Sequence, residues 1–480
     1  MTIKIYNVLS RRKEPFVPLA DGKVNIYVCG PTVYDDSHIG HAKTYIGFDV
    51  IARYLRYVGY DVLYVQNITD VGHMLDTGED RVLRKARQLS SGPMQVVETY
   101  MRSYFADMDA LGVKRPDISP RASGHIPEQI AMVEQLVASG HAYVVDGSVY
   151  FDVSSHSEYG KLSGRRVEEL EEGTREAVRT EKRHPADFAL WKKAEPEHIL
   201  RWSSPWGDGF PGWHIECSAM AHKYLGQTFD IHGGGIDNIF PHNECEIAQS
   251  EAAHGEPFAR YWMLTGSLTL DGVKMSKSLG NTLTIKEALS RWRPEALRTF
   301  ILSSHYSNPI DLSEDAVEAA FKGWQRIWSA VTLVRERMRN AEAGEPSSAV
   351  LDTLASAKAG FIQKMNEDFN APAALAILQD LTRQVNILLN EFGPHTYGTL
   401  EAIDKLYRQL GGDVLGIIPE DLDRGGDAGR EDGLLRLLVE LRAEARTRKD
   451  WTTSDQIREQ LSKLGVTLED RPDGTVWKLE

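Results

Sequence analysis

Cys29, His38 and His41 fall within one short stretch, YVCGPTVYDDSHIGHAKTY, residues 27 to 45. A thiol, then Gly-Pro, then two imidazoles three apart, can hold a metal, a nucleotide, or only a fold. The stretch begins inside VNIYVC (24–29), a β-branched and aromatic run that reads as a buried strand, and it leads into a helical repeat. His38-Ile39-Gly40-His41 therefore sits at a strand-to-helix junction, where free backbone N–H groups and the helix dipole favour a phosphate. Two imidazoles there can donate to phosphoryl oxygens as charge grows in a transition state. A plain capping turn and a zinc pair are the alternatives, although the helical pair with an intervening glutamate base is absent.

A second stretch, LTLDGVKMSKSLGN (268–281), carries Lys274 and Lys277 on a loop bracketed by Gly272 and Gly280. Two ammonium groups on such a loop can neutralise a triphosphate and move with its departing half; a solvated charged loop is the alternative. A third set is scattered: Cys29 again, Cys217 in PGWHIECSAM, and His242 and Glu246, four apart after Pro241. Thiolate, thiolate, imidazole and carboxylate are plausible zinc ligands. They are spread over more than 200 residues, far from the close Cys-x-x-Cys pairs of structural zinc modules, so only an assembled fold can gather them.

The elements that must do the gathering follow from periodicity. Strand 24–29, a helix from His41 to Gly59 and a second strand at 61–70 make a βαβ unit, whose ligands collect at the carboxyl ends of the strands. From about 120 the pattern changes to a helix near 127–138 and a hairpin on Asp146-Gly147, an inserted segment. The α/β rhythm resumes in TFDIHGGGIDNIFPHNECEIAQSEAAHG, with a strand at 228–232 and a helix opening at Pro241 and closing at Gly255. Beyond 312, segments 314–340, 350–369 and 372–392 read as a helical bundle. A polar glycine-rich linker and a small domain of two helices (434–448 and about 453–464) and a terminal hairpin end the chain. The expected class is α/β, a Rossmann-like parallel sheet split by an insertion, followed by a helical bundle and a small mixed C-terminal domain. The boundaries are 1–120 and 206–258 for the two sheet halves, 121–205 for the insertion, 259–312 for the lysine-loop region, 313–418 for the bundle, 419–433 for the linker and 434–480 for the last domain.

Composition narrows the setting. With 480 residues, 42% of them hydrophobic, the chain can build several cores, and no stretch reaches the roughly 20 apolar residues needed to cross a bilayer. The N-terminus lacks the basic-then-apolar order of a signal peptide, so a cytosolic address is expected. Three cysteines argue against a disulfide framework, and a net charge of -14 argues against indiscriminate coating of nucleic acid while leaving room for a local basic groove.

Together, HIGH at 38–41 and KMSKS at 274–278 resemble the signatures of class I aminoacyl-tRNA synthetases. CGPTVYD, PGWHIECSAM, FDIHGGG and FPHNECEIAQS, with EKRHPADFALWK, EDFNAPAAL and DGTVWKL, are similar to the cysteinyl-tRNA synthetase family over essentially the whole chain. The resemblance implies activation of L-cysteine by ATP with Mg2+, an enzyme-bound adenylate, and transfer to tRNA(Cys) by a monomer with no membrane association. It implies one Zn2+ on Cys29, Cys217, His242 and Glu246, catalytic roles for His38, His41, Lys274 and Lys277, ATP contacts at Gly40, Asp237 and Lys277, and an amino-acid pocket at Thr69 and Trp213. A zinc with room for one more ligand would bind the substrate thiolate and reject serine, standing in for an editing site that the insertion is expected to be too short to supply, since it shows no obvious hydrolytic set. For tRNA, the last domain offers Arg442, Arg446, Arg448, Lys449, Arg458 and Trp451. The chain departs from many relatives at NITDVGHML, where they carry NITDIDDKI, and at PHNECE, where they often carry PHHENE. Two other readings are a ligase joining cysteine to an amino sugar, which needs no anticodon domain, and a catalytically silent zinc and RNA-binding homologue, which needs no triphosphate lid.

Overall fold

The computed structural model describes residues 2–479 apart from 73, 75–78, 166–181, 197, 276–279, 391–394, 421–427 and 472–473. It divides into a unit Met1–Ile418 and a small unit Pro419–Glu480. Four parallel strands form the heart of the larger unit: β1 (Lys23–Val28), β2 (Asp61–Gln66), β3 (Phe229–Gly235) and β4 (Ala259–Thr265), in the order β4-β3-β1-β2. In β1, Val24, Ile26, Tyr27 and Val28 are all buried, the near-continuous apolar run of a strand covered on both faces. The chain leaves β1 through helix α1 (Ile39–Tyr57), returns in β2, and resumes on the other side of β1 only at β3. The order thus reverses between β1 and β3, where an open α/β sheet forms its ligand crevice.

The insertion supplies three strands of a four-stranded antiparallel sheet, Ala142–Val145, Ser148–Phe151 and Phe188–Lys193, with helix Ile126–Ala138 beside it, and Gly209–Pro211, beyond residue 205, adds the fourth. Asp146 and Gly147 take positive φ (49° and 87°), as the two-residue hairpin turn requires. This sheet shares a core with helices α2 (Trp213–Leu225) and α3 (Glu244–His254) through Phe151, Phe188, Leu190, Ile215 and Ala248. Behind the site, Arg298 of helix α4 (Pro294–Leu302) is buried and pairs with Asp49 of α1, fastening the two helices. Helices Glu314–Met338, Ser348–Asn366, Ala371–Asn390 and Tyr397–Tyr407 follow. Among the described residues no helix is long and apolar enough to cross a membrane.

Three local expectations change. The strand expected to run to residue 70 ends at Gln66, because the chain turns to pair Thr69 with Thr32 through Thr69 N–H to Pro31 O at 3.1 Å and Val33 N–H to Thr69 O at 3.1 Å. The helix expected from Pro241 begins at Glu244, since Phe240 is extended (φ -143°, ψ 133°) and residues 236–243 form irregular turns. In the small unit, helices Ala428–Thr447 and Trp451–Lys463 pack on the hairpin Val466–Arg471 and Gly474–Leu479. There Arg442 is buried, one face of its helix being Leu435, Arg442 and Ala445 at helical spacing, and so it leaves the set of exposed cations. Arg446, Arg448, Lys449, Arg458 and Trp451 are exposed.

One glycine fixes how closely the crevice walls approach. A Cβ on Gly30 would lie 1.6 Å from the carbonyl oxygen of Asn67, while the Gly30 N–H donates to Asn67 Oδ1 at 2.8 Å. Gly30→Ala therefore has to part the ends of β1 and β2. It is expected to cost about 3 kcal/mol, the upper end for overpacking, read as a lowered midpoint of thermal unfolding together with loss of bound metal at the adjacent Cys29.

Candidate active site and metal centre

The crevice holds four ligand atoms together. One donor atom each of Cys29, Cys217, His242 and Glu246 lies within 4.8 Å of every other, and all four residues are buried. Cys29 comes from the end of β1, Cys217 from α2, His242 from the irregular turn and Glu246 from α3. Cys29 Sγ is 3.8 Å from Glu246 Oε1, and His242 Nε2 is 3.7 Å from the same oxygen. Zinc bonds of about 2.0 to 2.3 Å in a tetrahedron set ligand-to-ligand edges of roughly 3.3 to 3.8 Å. The donor set and its spacing fit zinc.

Neighbours hold these ligands from outside, as metal ligands require. His232 Nε2 lies 3.3 Å from Glu246 Oε1, and Asn243 Nδ2 donates to Glu246 Oε2 at 2.7 Å. His214 and His242 share a hydrogen bond between their Nδ1 atoms at 2.9 Å. Burial alone would raise the Glu246 carboxyl, but the imidazoles of His232 and His242 overcome it and draw the group down to about 2. A hydrogen bond from Cys217 draws the Cys29 thiol down to about 6, whereas burial pushes the Cys217 thiol up.

A cavity of about 330 Å³ opens from this cluster. Cys29, Cys217 and His242 line it together with His38, Gly40, His41, Asp237 and Lys274, and so do Thr69 and Trp213. The two histidines stack at 3.9 Å between ring centroids, and the His38 N–H donates to His41 Nδ1 at 3.2 Å, so His41 caps α1 while its ring faces the cavity. Gly40 leaves the room for this, since a Cβ there would meet His38 Nδ1 at 2.9 Å. Trp213, the first residue of α2, lies tilted against His242 at 4.4 Å between centroids. Thr69 Oγ1 accepts from Asn67 Nδ2 at 3.1 Å and lies beside Glu216, whose buried carboxyl is pushed well up by desolvation. Asp237 and Lys274 pair with each other at 2.7 Å, both largely exposed. Lys277 lies outside the described residues.

Both roots of the lysine loop are held, the near one by Gly272 N–H donating to Asp311 Oδ1 at 2.7 Å and Asp271 N–H to Leu312 O at 3.1 Å. On its far side, Ile39 N–H donates to Leu283 O at 3.0 Å and Ile285 N–H to Ser37 O at 2.8 Å, stitching the loop's end to the first turn of α1. Its near side is the tight turn at Asp271 and Gly272, both at positive φ.

Sequence reasoning missed His214, His232, Asn243, Asn67 and Glu216. His232 and His214 stand within quoted motifs, and only the pairing of β3 beside β1, with His232 opposite Tyr27, turns the first toward the cluster. Cys245, one position off the ligands, points away into the core shared with the insertion, 3.5 Å from the Tyr159 hydroxyl.

Comparison with known proteins gives a consistent picture. Residues 15–322 match the family described as tRNA synthetases class I (C) catalytic domain, 360–419 the DALR domain, and 435–477 the cysteinyl-tRNA ligase anticodon binding domain. The chain is 51% identical to a cysteine--tRNA ligase of Deinococcus radiodurans, over 99% of this chain and 96% of the relative. It is 49% identical to one of Thermus thermophilus over the full length of both. In fold it is similar to methionyl-tRNA synthetase of Mycobacterium tuberculosis, with a TM-score of 0.59 at 16% identity, covering 83% of this chain and 92% of that one.

Proposed function

The chain belongs to the cysteine--tRNA ligases, class I aminoacyl-tRNA synthetases, and on that premise we propose that it charges tRNA(Cys) through an enzyme-bound cysteinyl-adenylate and selects cysteine over serine by its thiol. The observation that carries this reading is the shared cavity, onto which both the buried four-donor cluster and the histidine turn open. Zinc, when bound, supplies a Lewis acid that takes a thiolate as a further ligand and lowers the pKa of the thiol. Cys29, Cys217, His242 and Glu246 would hold it, with His232 and Asn243 fixing the Glu246 carboxylate.

The remaining residues orient the reactants. Thr69, its hydroxyl set by Asn67, and Trp213, its ring tilted against His242, shape the amino-acid pocket. A carboxylate oxygen of cysteine attacks the α-phosphorus of ATP, and the bond to the β-phosphate oxygen breaks, releasing pyrophosphate. His38 and His41 donate to the α-phosphoryl oxygens as their charge grows. Lys274 and Lys277 take up the charge of the leaving pyrophosphate, and magnesium accompanies the ATP. An entering nucleotide exchanges the partners of the Asp237–Lys274 pair, a ribose hydroxyl going to Asp237 and phosphate to Lys274. A terminal hydroxyl of the tRNA then attacks the carbonyl carbon and AMP leaves. Residues 1–120 and 206–258 carry activation, 121–205 is the connective insertion, 259–312 the lid region, 313–418 the bundle, 419–433 the linker and 434–480 the anticodon-binding domain.

The test is ATP–pyrophosphate exchange dependent on cysteine, followed by charging of tRNA. The full chain is expected to do both, and a chain ending at residue 418 to keep exchange while charging falls by about a hundredfold or more, the weight of several phosphate and base contacts. Exchange without charging by the full chain would point instead to an acceptor other than tRNA.

A further inference from the structure

Lys43 lies in the second turn of α1, one residue before Thr44, which lines the cavity. Its side chain is buried, at 3% exposure, and turns away from the cavity into the protein. Among the described residues no carboxylate pairs with it. Nζ instead donates to three backbone carbonyls, of Gly266 at 2.6 Å, Asn308 at 2.9 Å and Tyr306 at 3.1 Å. Three N–H bonds meet three acceptors, so the ammonium is saturated only in its charged form.

The carbonyls belong to two segments with different attachments. Gly266 stands in the cavity wall Thr265–Leu268, at the end of β4. Tyr306 and Asn308 belong to the loop after α4, which rests on the turn between two bundle helices: Tyr306 Oη donates to Asp368 Oδ1 at 2.8 Å, and His305 Nε2 meets the Asp368 carbonyl at 2.8 Å. That turn is part of EDFNAPAAL, a motif the reaction itself does not use. The wall and loop are also tied directly, Gly266 N–H to Tyr306 O at 2.9 Å. A pin of this kind could be made of apolar side chains. Burying a cation without a counter-ion costs several kcal/mol, which the geometry turns to use beside a cavity that receives a polyanion.

We propose that Lys43 is a positioning residue for ATP: its ammonium holds the wall Thr265–Leu268 in register with the nucleotide and hangs that wall on the bundle turn around Asp368. This rests on the reading above that the cavity binds ATP at the histidine turn. Burial draws the Lys43 ammonium down to about 8, above which the neutral amine has two N–H bonds for three carbonyls. The groups facing it are His305, lowered by burial, and Tyr306, raised by burial, with Asp368 and Lys13 behind them. The end of β4 and the apolar face of α4 add no titratable group. His305 and Tyr306 therefore titrate outside the window in which Lys43 loses its proton.

The test is exchange kinetics of the full-length protein at saturating cysteine. Lys43→Met is expected to raise KM for ATP by about tenfold, as a small misplacement of a binding wall does, leaving KM for cysteine and zinc content within about twofold. Lys43→Arg, charged at every pH used, is expected to recover most of the ATP affinity and to abolish the rise in KM for ATP that the parent protein shows between about pH 7 and 9.5. Should Lys43→Arg keep that rise, or should Lys43→Met lose stability and kcat with KM for ATP unmoved, Lys43 is a structural pin and the proposal fails. Absence of cysteine-dependent exchange in the parent protein would overturn the underlying function instead.

Discussion

Cys217→Ser is expected to abolish bound zinc and to lower cysteine-dependent exchange by about a thousandfold, with the preference for cysteine over serine shrinking to the roughly 10- to 200-fold that shape alone supplies. The argument is one of donors. Serine's hydroxyl stays protonated where a thiol ionises, so one corner of a four-donor cluster within 4.8 Å becomes a neutral oxygen, and the charge that balances the metal is lost. Cys245→Ser is the control, because that thiol is buried beside Tyr159 and outside the cluster. It is expected to retain metal and discrimination. Metal analysis and exchange with each amino acid decide the matter. A Cys217→Ser protein that still prefers cysteine by several thousandfold would remove the thiol-recognition reading.

The second large effect is at the histidine turn. His38→Ala and His41→Asn are each expected to lower kcat for exchange by about 100- to 1000-fold, the cost of removing one donor aimed at developing oxyanion charge. KM for ATP should move only a few-fold and zinc content not at all. Asn is chosen at 41 because its carbonyl can accept the His38 N–H that His41 Nδ1 accepts at 3.2 Å, which keeps the helix cap while removing the imidazole. His41→Ala loses both, so the difference between the two variants separates capping, worth about 1 kcal/mol, from catalysis.

What could be read from the chain was what local chemistry determines. Gly-Pro after a β-branched run, a helical repeat closed by Gly59, and Asp146-Gly147 between two short apolar runs each specify backbone within a few residues, and each is found. The cluster is different. Its four ligands come from a strand end, two helices and an irregular turn, and residue types alone gave no reason to prefer them over other cysteines and histidines until the family's pattern singled them out. The supporting shell stayed hidden even then, because His232 acquires its role only when β3 pairs with β1. Lys43 was invisible for the opposite reason: a lysine in a helical repeat reads as solvated, and nothing nearby in sequence announces that Gly266, Tyr306 and Asn308 will surround it. Arg442 was misread because an amphipathic face was judged by its charges rather than by the Leu435 and Ala445 that flank it.

The strand order β4-β3-β1-β2 also sets a timetable during synthesis. Cys29 and Glu246 stand 217 residues apart, so at 5 to 20 residues per second the first ligand leaves the ribosome roughly 10 to 40 s before the last. Through that interval the nascent chain offers a lone thiol and no cage, and metal capture must wait for β3 to dock. Loading thus becomes possible only about halfway through synthesis, Glu246 standing near the middle of the 480 residues, and until then the lone thiol is open to oxidants and to softer metals that need fewer ligands.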